Sequence, residues 1–167
     1  SGSTGKPKGV MVEHKSVVHS IAARKDTYRR VHKLLQVSSF CFDSAAACMF
    51  WTLLDGGCLC LVSNHSGKDA SLIAFEVKRL KVSHLVLTPS LYTLVLSKIE
   101  FCASLLVSIV AGEPCGKTLI QEHHRNFPDT PIVNEYGPTE ATVWSSFTFL
   151  DSDTQTVPIG RPISNTQ

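Results

Sequence analysis

The residues of this chain that could do chemistry fall into four places. Residues 1 to 9 read Ser-Gly-Ser-Thr-Gly-Lys-Pro-Lys-Gly, all glycine, hydroxyl and lysine apart from Pro7. Glycines let backbone N–H groups converge on an anion, while hydroxyls add donors and Lys6 and Lys8 add charge, a set suited to phosphate groups. The stretch departs from the Walker-type phosphate loop, because only Ser3 and Thr4 separate Gly2 from Gly5 and Pro7 follows Lys6. Taken alone it reads equally as a surface linker. Asp43 stands between Phe42 and a run of apolar residues, so its carboxylate either caps a helix or meets a cationic ligand group. Gly112-Glu113 and the run Asn134-Glu135-Tyr136-Gly137-Pro138-Thr139-Glu140 each follow a short apolar segment.

Elements that could position these groups are legible in the hydrophobic pattern. Ser16 to Arg24 places Val17, Val18, Ile21 and Ala22 on one helical face. Ser38 to Phe42 reads as a short strand, and Ala45 to Leu54, apolar nearly all round, as a deeply buried helix ended by Gly56-Gly57. Cys58 to Val62 reads as a strand, Ala70 to Lys81 as a helix with Ile73, Val77 and Leu80 on one stripe, and Ser83 to Leu87 as a strand. A helix over Leu91 to Ile99, a strand over Leu105 to Val110, a helix around Leu119, Ile120 and His123, and a strand over Pro131 to Asn134 follow. The alternation predicts an α/β fold with a largely parallel sheet covered by helices on both faces, whose ligands lie beyond the carboxyl ends of the strands. All four chemical stretches then fall at loops.

Composition narrows the partners. With 167 residues, 43% hydrophobic and 18% charged, the chain is about one packed domain long. A net charge of +2 with scattered Lys and Arg gives no nucleic-acid or membrane surface. No apolar run approaches the roughly 18 residues of a membrane span, and no signal peptide is apparent, so a cytoplasmic location is expected. Cys41, Cys48, Cys58, Cys60, Cys102 and Cys115 form no Cys-x-x-Cys pair and read as buried reduced thiols. His123-His124 reads as a helix surface, with no ligand at metal spacing around it. A start without Met inside a glycine-rich stretch, and a finish at Ser164-Asn165-Thr166-Gln167, suggest a piece of a longer chain.

SGSTGKPKGV, Phe42-Asp43 before an apolar helix, Ala111-Gly112-Glu113, NEYGPTE over residues 134 to 140 and Ile159-Gly160-Arg161-Pro162 occur in the order of a known family. Together they resemble the adenylate-forming enzymes, and most closely the adenylation domains of nonribosomal peptide synthetases. The resemblance covers essentially all of residues 1 to 167 and implies a central fragment of the large N-terminal subdomain, without its N-terminal part and without the C-terminal subdomain that carries a catalytic lysine. It implies ATP-dependent activation of an amino acid as the aminoacyl adenylate, with loading onto the thiol of a phosphopantetheinyl carrier domain, and a fragment inactive by itself. Acyl- or aryl-CoA ligation within the same superfamily, and a non-catalytic nucleotide-binding role, are the alternatives.

By the same resemblance Ser3, Thr4, Gly5, Lys6 and Lys8 embrace the pyrophosphate end of ATP. Gly112, Glu113, Asn134, Tyr136 and Gly137 frame the nucleotide, with Tyr136 against the adenine. Thr139 meets the α-phosphate and Glu140 holds Mg²⁺, and with Lys8 these two form the implied catalytic set. Asp43 pairs with the substrate α-ammonium. The implied substrate pocket is Asp43, Ser44, Ala47, Val86, Ile109, Ala111, Glu135, Val143 and Trp144. Small side chains at 44, 47 and 111 leave room for a bulky substrate, and Glu135 either accepts a hydrogen bond from it or points to solvent, so an aromatic and a basic amino acid are rival expectations.

Overall fold

The computed structural model describes residues 9–62 and 69–166. The expected triphosphate-loop residues Ser3, Thr4, Gly5, Lys6 and Lys8 therefore lie outside the described residues.

The elements run α1 (His14–Thr27), β1 (Lys33–Gln36), α2 (Asp43–Leu54), β2 (Cys58–Leu61), α3 (Ala70–Leu80), β3 (His84–Leu87), α4 (Pro89–Leu96), β4 (Val107–Ala111), α5 (Lys117–Asn126), β5 (Ile132–Tyr136), β6 (Ser146–Leu150) and β7 (Arg161–Pro162). One sheet holds them in the order β2-β1-β3-β4-β5-β6-β7. The strands β1 to β5 are mutually parallel, and β6 and β7 continue the sheet antiparallel. Strand order reverses at β1, which is where the loops of a doubly wound sheet part and leave a crevice.

The alternation of side chains along each strand splits the core in two. Leu35, Leu85, Leu87, Val110 and Ile132 pack against Ile73 and Val77 of α3, Tyr92 and Val95 of α4 and Ile120 of α5. Leu34, Val86, Ile109 and Val133 point the other way, onto Ile21 of α1, Cys48 and Trp51 of α2, and Trp144. The expected α/β architecture, with helices on both faces of a mostly parallel sheet, is thus the observed one.

Five sequence expectations need correction. Ser38 to Phe42 is no strand: it is a turn closed by Phe42 N donating to Ser39 O, with Phe40 and Phe42 exposed. The strand is Lys-Leu-Leu-Gln just before it, whose two central leucines alone are too short an apolar run to stand out. Helix α2 is not deeply buried, because Phe50, Leu53 and Leu54 are exposed while Ala45, Cys48 and Trp51 face the core. In α1, Val18 and Ala22 face outward, and the buried side runs through Ser20, Ile21, Ala23 and Arg24. Finally, only Cys48 and Cys60 are fully buried thiols, and His123 is a core residue rather than a surface one.

His123 is buried because the interior satisfies both its nitrogens. The Thr130 carbonyl accepts from Nε2 at 2.7 Å, which leaves Nδ1 of the neutral ring as the acceptor 2.7 Å from the Tyr92 hydroxyl. Among the described residues no cluster of three His, Cys, Asp or Glu side chains has metal-binding geometry. Among them, too, no helix is long and apolar enough to cross a membrane.

Candidate functional site

Beyond the carboxyl ends of β1, β3 and β4 lies a cavity of about 1070 Å³. Gln36 ends β1 at its edge, Leu87 and Thr88 close β3, and Ala111 and Gly112 close β4. Helix α2 presents Asp43, Ser44 and Cys48 to it, Val86, Glu135 and Val143 line it as expected, and Gly137, expected at the nucleotide, lines it too. Arg24, Gln36 and Cys48 line the cavity as well, although nothing in the chemistry-bearing stretches pointed to them. Three expected pocket residues, Ala47, Ile109 and Trp144, are buried beside the cavity and do not line it.

Asp43 is the first residue of α2. The cap position before it is Phe42, and no side chain caps the helix. Among the described residues its carboxylate has no hydrogen-bonding side chain or cation. The helix N-terminus favours a negative charge at this edge of the cavity. Of the two readings left open by the sequence, the side-chain cap is therefore absent and the partner for a cation is available.

Glu135 does not point to solvent, the second of the two ways anticipated. Its carboxylate is buried and gripped by Arg24, with Nη1 donating to Oε1 at 2.8 Å and Nη2 to Oε2 at 2.7 Å, while the Tyr28 hydroxyl donates to Oε1 at 2.7 Å. Burial is the largest influence and opposes the guanidinium charge, but the charge and hydrogen bonds of Glu135, together with Tyr28 and Cys48, outweigh it and raise the Arg24 pKa above its usual value. Burial, reinforced by Glu135, holds the Tyr28 phenol protonated well above its normal range. Trp51 and Trp144 flank the guanidinium at 5.2 and 4.6 Å from their ring centroids. Burial also pushes the nearby Cys48 thiol up to about 11, so this floor of the cavity carries one ion pair and no free charge.

The loop after β5 carries left-handed backbone at two successive residues, Thr142 with φ 61° and Val143 with φ 80°. A β-branched residue rarely adopts such a φ, and the surroundings must enforce it. They do: Ser20 Oγ donates to the Thr142 carbonyl at 3.0 Å, and Trp144 Nε1 donates to the Ser20 carbonyl at 3.1 Å. Helix α1 thus pins the loop that brings Val143 to the cavity.

Parallel pairing of β4 with β5 matches Val110 with Asn134 and Ala111 with Glu135, which brings Gly112 level with Tyr136. Gly112 has φ +84°, a backbone state that glycine adopts without strain. Asn134 and Tyr136 share the opposite side of β5 from Glu135, so the strand separates a polar rim from the apolar cavity floor. Asn134 Nδ2 donates to the Pro158 carbonyl at 3.0 Å, and the Tyr136 ring is half exposed. Glu113 accepts from both the hydroxyl and the backbone N–H of Ser90. These bonds hold its carboxyl below the usual range and tie the β4 loop to the start of α4. Thr139 and Glu140 sit on an exposed one-turn 3₁₀ helix, Thr139–Ala141, between the cavity residues Gly137 and Val143.

Residues 1–167 match the family model described as AMP-binding enzyme. Bacitracin synthase 3 of Bacillus licheniformis is 41% identical over 168 residues, 99% of this chain and 3% of that protein. A plipastatin synthase of Bacillus subtilis (strain 168) is 36% identical over 171 residues, 100% of this chain and 5% of that protein. The chain therefore spans only a small part of the length of these relatives. Among solved structures, the nonribosomal peptide synthetase FmoA3 superposes with a TM-score of 0.85 at 25% identity, over 95% of this chain and 18% of that one. The Vibrio cholerae adenylation domain AlmE, in complex with glycyl-adenosine-5'-phosphate, superposes with a TM-score of 0.86 at 24% identity, over 97% of this chain and 32% of that one. A match along every residue, on a fold whose β-strand ends open onto the cavity described above, establishes that this chain belongs to the AMP-binding enzyme family.

Proposed function

We infer that this chain forms the substrate cleft of an enzyme that activates an amino acid with ATP, releasing pyrophosphate and leaving the aminoacyl adenylate for transfer to a carrier-domain thiol. One observation carries the reading: among the described residues Asp43 offers an unpaired carboxylate at the edge of a largely apolar cavity, at the N-terminal end of α2. An α-ammonium is the group such a carboxylate accepts, and its charge offsets the cost of enclosing both. With the ammonium held there, the substrate carboxylate is turned towards the loop of Gly137 to Glu140. Attack of one carboxylate oxygen on the α-phosphorus forms the mixed anhydride, and the pyrophosphate leaves with the electron pair of the broken P–O bond.

The chain's residues fit the nucleotide in chemistry. Gly112 allows close approach of backbone, the exposed Tyr136 ring offers a face for a base, and the Asn134 amide stands beside it. The Thr139 hydroxyl, exposed on its 3₁₀ turn, is assigned to the α-phosphate, and Ser3, Thr4, Gly5, Lys6 and Lys8 to the β- and γ-phosphates. Glu140 fits Mg²⁺, because its carboxylate is exposed and has no partner among the described residues. When bound, the ion would offset phosphate charge as the α-phosphorus is attacked. Position and charge, rather than a covalent enzyme intermediate, supply the acceleration.

The test is amino-acid-dependent exchange of labelled pyrophosphate into ATP by the full-length protein. Exchange stimulated by one or a few amino acids is the expected result. Absence of exchange with every proteinogenic amino acid and ornithine, in folded protein that binds ATP, overturns the reading.

A further inference from the structure

We propose that Arg24 determines substrate specificity by cancelling the charge of Glu135, so that the cavity selects an amino acid with an uncharged side chain and refuses a basic one. The proposal rests on the cavity being the amino-acid site.

The charges lining the cavity are few. Among the described residues they are the carboxylates of Asp43 and Glu135 and the guanidinium of Arg24. Arg24 and Glu135 each have side chains only 2% exposed and neutralise one another through two parallel hydrogen bonds. One negative charge is left over, at Asp43, and the substrate α-ammonium matches it. A second cation on the substrate side chain would find no free anion. To reach Glu135 it would have to displace a guanidinium that lies between two indole rings, whose Nε is buried with no hydrogen-bond partner. Two buried cations would then share one carboxylate, which costs far more than either pair alone.

An acidic side chain fares no better, since the Arg24 charge is already balanced by Glu135 and a second carboxylate there would share one buried cation. What remains of the floor is apolar or neutral: Val86, Ala111, Val143 and the Cys48 thiol, with Tyr28 holding Oε1 from the far side. Oε2 accepts a single bond, so a neutral tip that donates, such as a phenol or an amide, can still be read there. Between the aromatic and basic expectations from the sequence, the ion pair therefore favours the neutral one.

The experiment is pyrophosphate exchange by the full-length protein over a panel of neutral, basic and acidic amino acids. For the wild type, the best neutral substrate should exceed ornithine, lysine and arginine in kcat/KM by about a hundredfold or more. Arg24→Met uncovers Glu135 and should raise ornithine or lysine relative to the neutral substrate by about tenfold or more. The change should fall on KM for the amino acid and leave KM for ATP unmoved, which loss of fold would not do. Glu135→Gln uncovers Arg24 and should bring in aspartate or glutamate instead. The double variant Arg24→Met with Glu135→Gln has no buried charge and should stay selective for neutral substrates, and Arg24→Lys should do the same. Where Arg24→Met fails to fold, Glu135→Gln and the double variant decide. A wild type that prefers a basic amino acid, or single variants that keep the wild-type profile, overturns the proposal. Absence of exchange by the wild type overturns instead the function on which it rests.

Discussion

Two carboxylates of the cavity show how burial and pairing divide roles between side chains of one type. Glu135 is enclosed and would be costly there without Arg24 and Tyr28, so its energy is already committed to the fold. Asp43 is only half-buried and has no partner among the described residues, so its charge is available. Replacement of Asp43 by Ala in the full-length protein should therefore lower amino-acid-dependent pyrophosphate exchange by about a hundredfold or more, while ATP binding and resistance to unfolding stay near wild type. Indifference of exchange to this change would count for an acid substrate lacking an amino group. Asp43 was legible beforehand because a carboxylate ahead of an apolar helix needs a reason wherever the chain folds. Arg24 was not, although it interrupts the buried face of α1 between Ile21 and Tyr28, because its partner is 111 residues away.

At the scale of elements, local chemistry explains most boundaries. Helix α3 begins where Asp69 Oδ1 accepts from Ser71 N at 2.9 Å and Leu72 N at 3.2 Å. Asp69→Ala should weaken this end by about 1 kcal/mol, seen as roughly fivefold faster amide exchange in the first turn of α3. The antiparallel strands β6 and β7 escaped the sequence reading. Strand β6 is only Ser-Phe-Thr-Phe-Leu and β7 two residues, and beside their pairing Gly160 lies tight against the Phe147 backbone. Gly160 has φ +88°, and a Cβ there would meet the Phe147 carbonyl. Gly160→Ala should cost about 2 kcal/mol and speed exchange of the β6 amides roughly thirtyfold. Exchange at the wild-type rate would show that the β6–β7 edge gives way without cost. The misplaced strand at Ser38 to Phe42 has the opposite origin: its aromatic residues are apolar because they border a cavity, and exposure cannot be told from burial by side-chain type.

For the molecule as a whole, two buried imidazoles couple stability to pH. His84 packs between the sheet and Trp51, with Ser83 Oγ 2.9 Å from Nδ1 and the Arg29 carbonyl accepting from Nε2 at 3.0 Å. His123 occupies the opposite face of the sheet, among α4 and α5. Burial lowers each from the ordinary 6.5 to about 4. Both rings are neutral in the fold, whereas the unfolded chain takes up protons below about pH 6.5. Their contribution is therefore complete above that pH and is lost as pH falls towards 4, on the order of 3 kcal/mol for each ring. The urea midpoint of the folded unit should fall steadily from pH 7 to 4.5, and His123→Gln should flatten that slope. A midpoint constant across this range would show that neither ring is held neutral.

The alternation of helices with apolar strands, the loops that carry Gly112 and residues 137 to 140, and the anomaly of Asp43 are properties of neighbouring residues, so the amino-acid sequence alone determined them. The expected strand ended at Asn134; the structure carries β5 on to Tyr136, which sets Glu135 on the face opposite Asn134 and Tyr136. Tertiary structure alone decided that Arg24 from α1 meets Glu135 from β5 between Trp51 and Trp144, and so which charges the cavity keeps. The physical reason is that the solvation of a charge depends on what surrounds it in space, and spacing along the chain carries no record of which distant residue supplies the counter-charge.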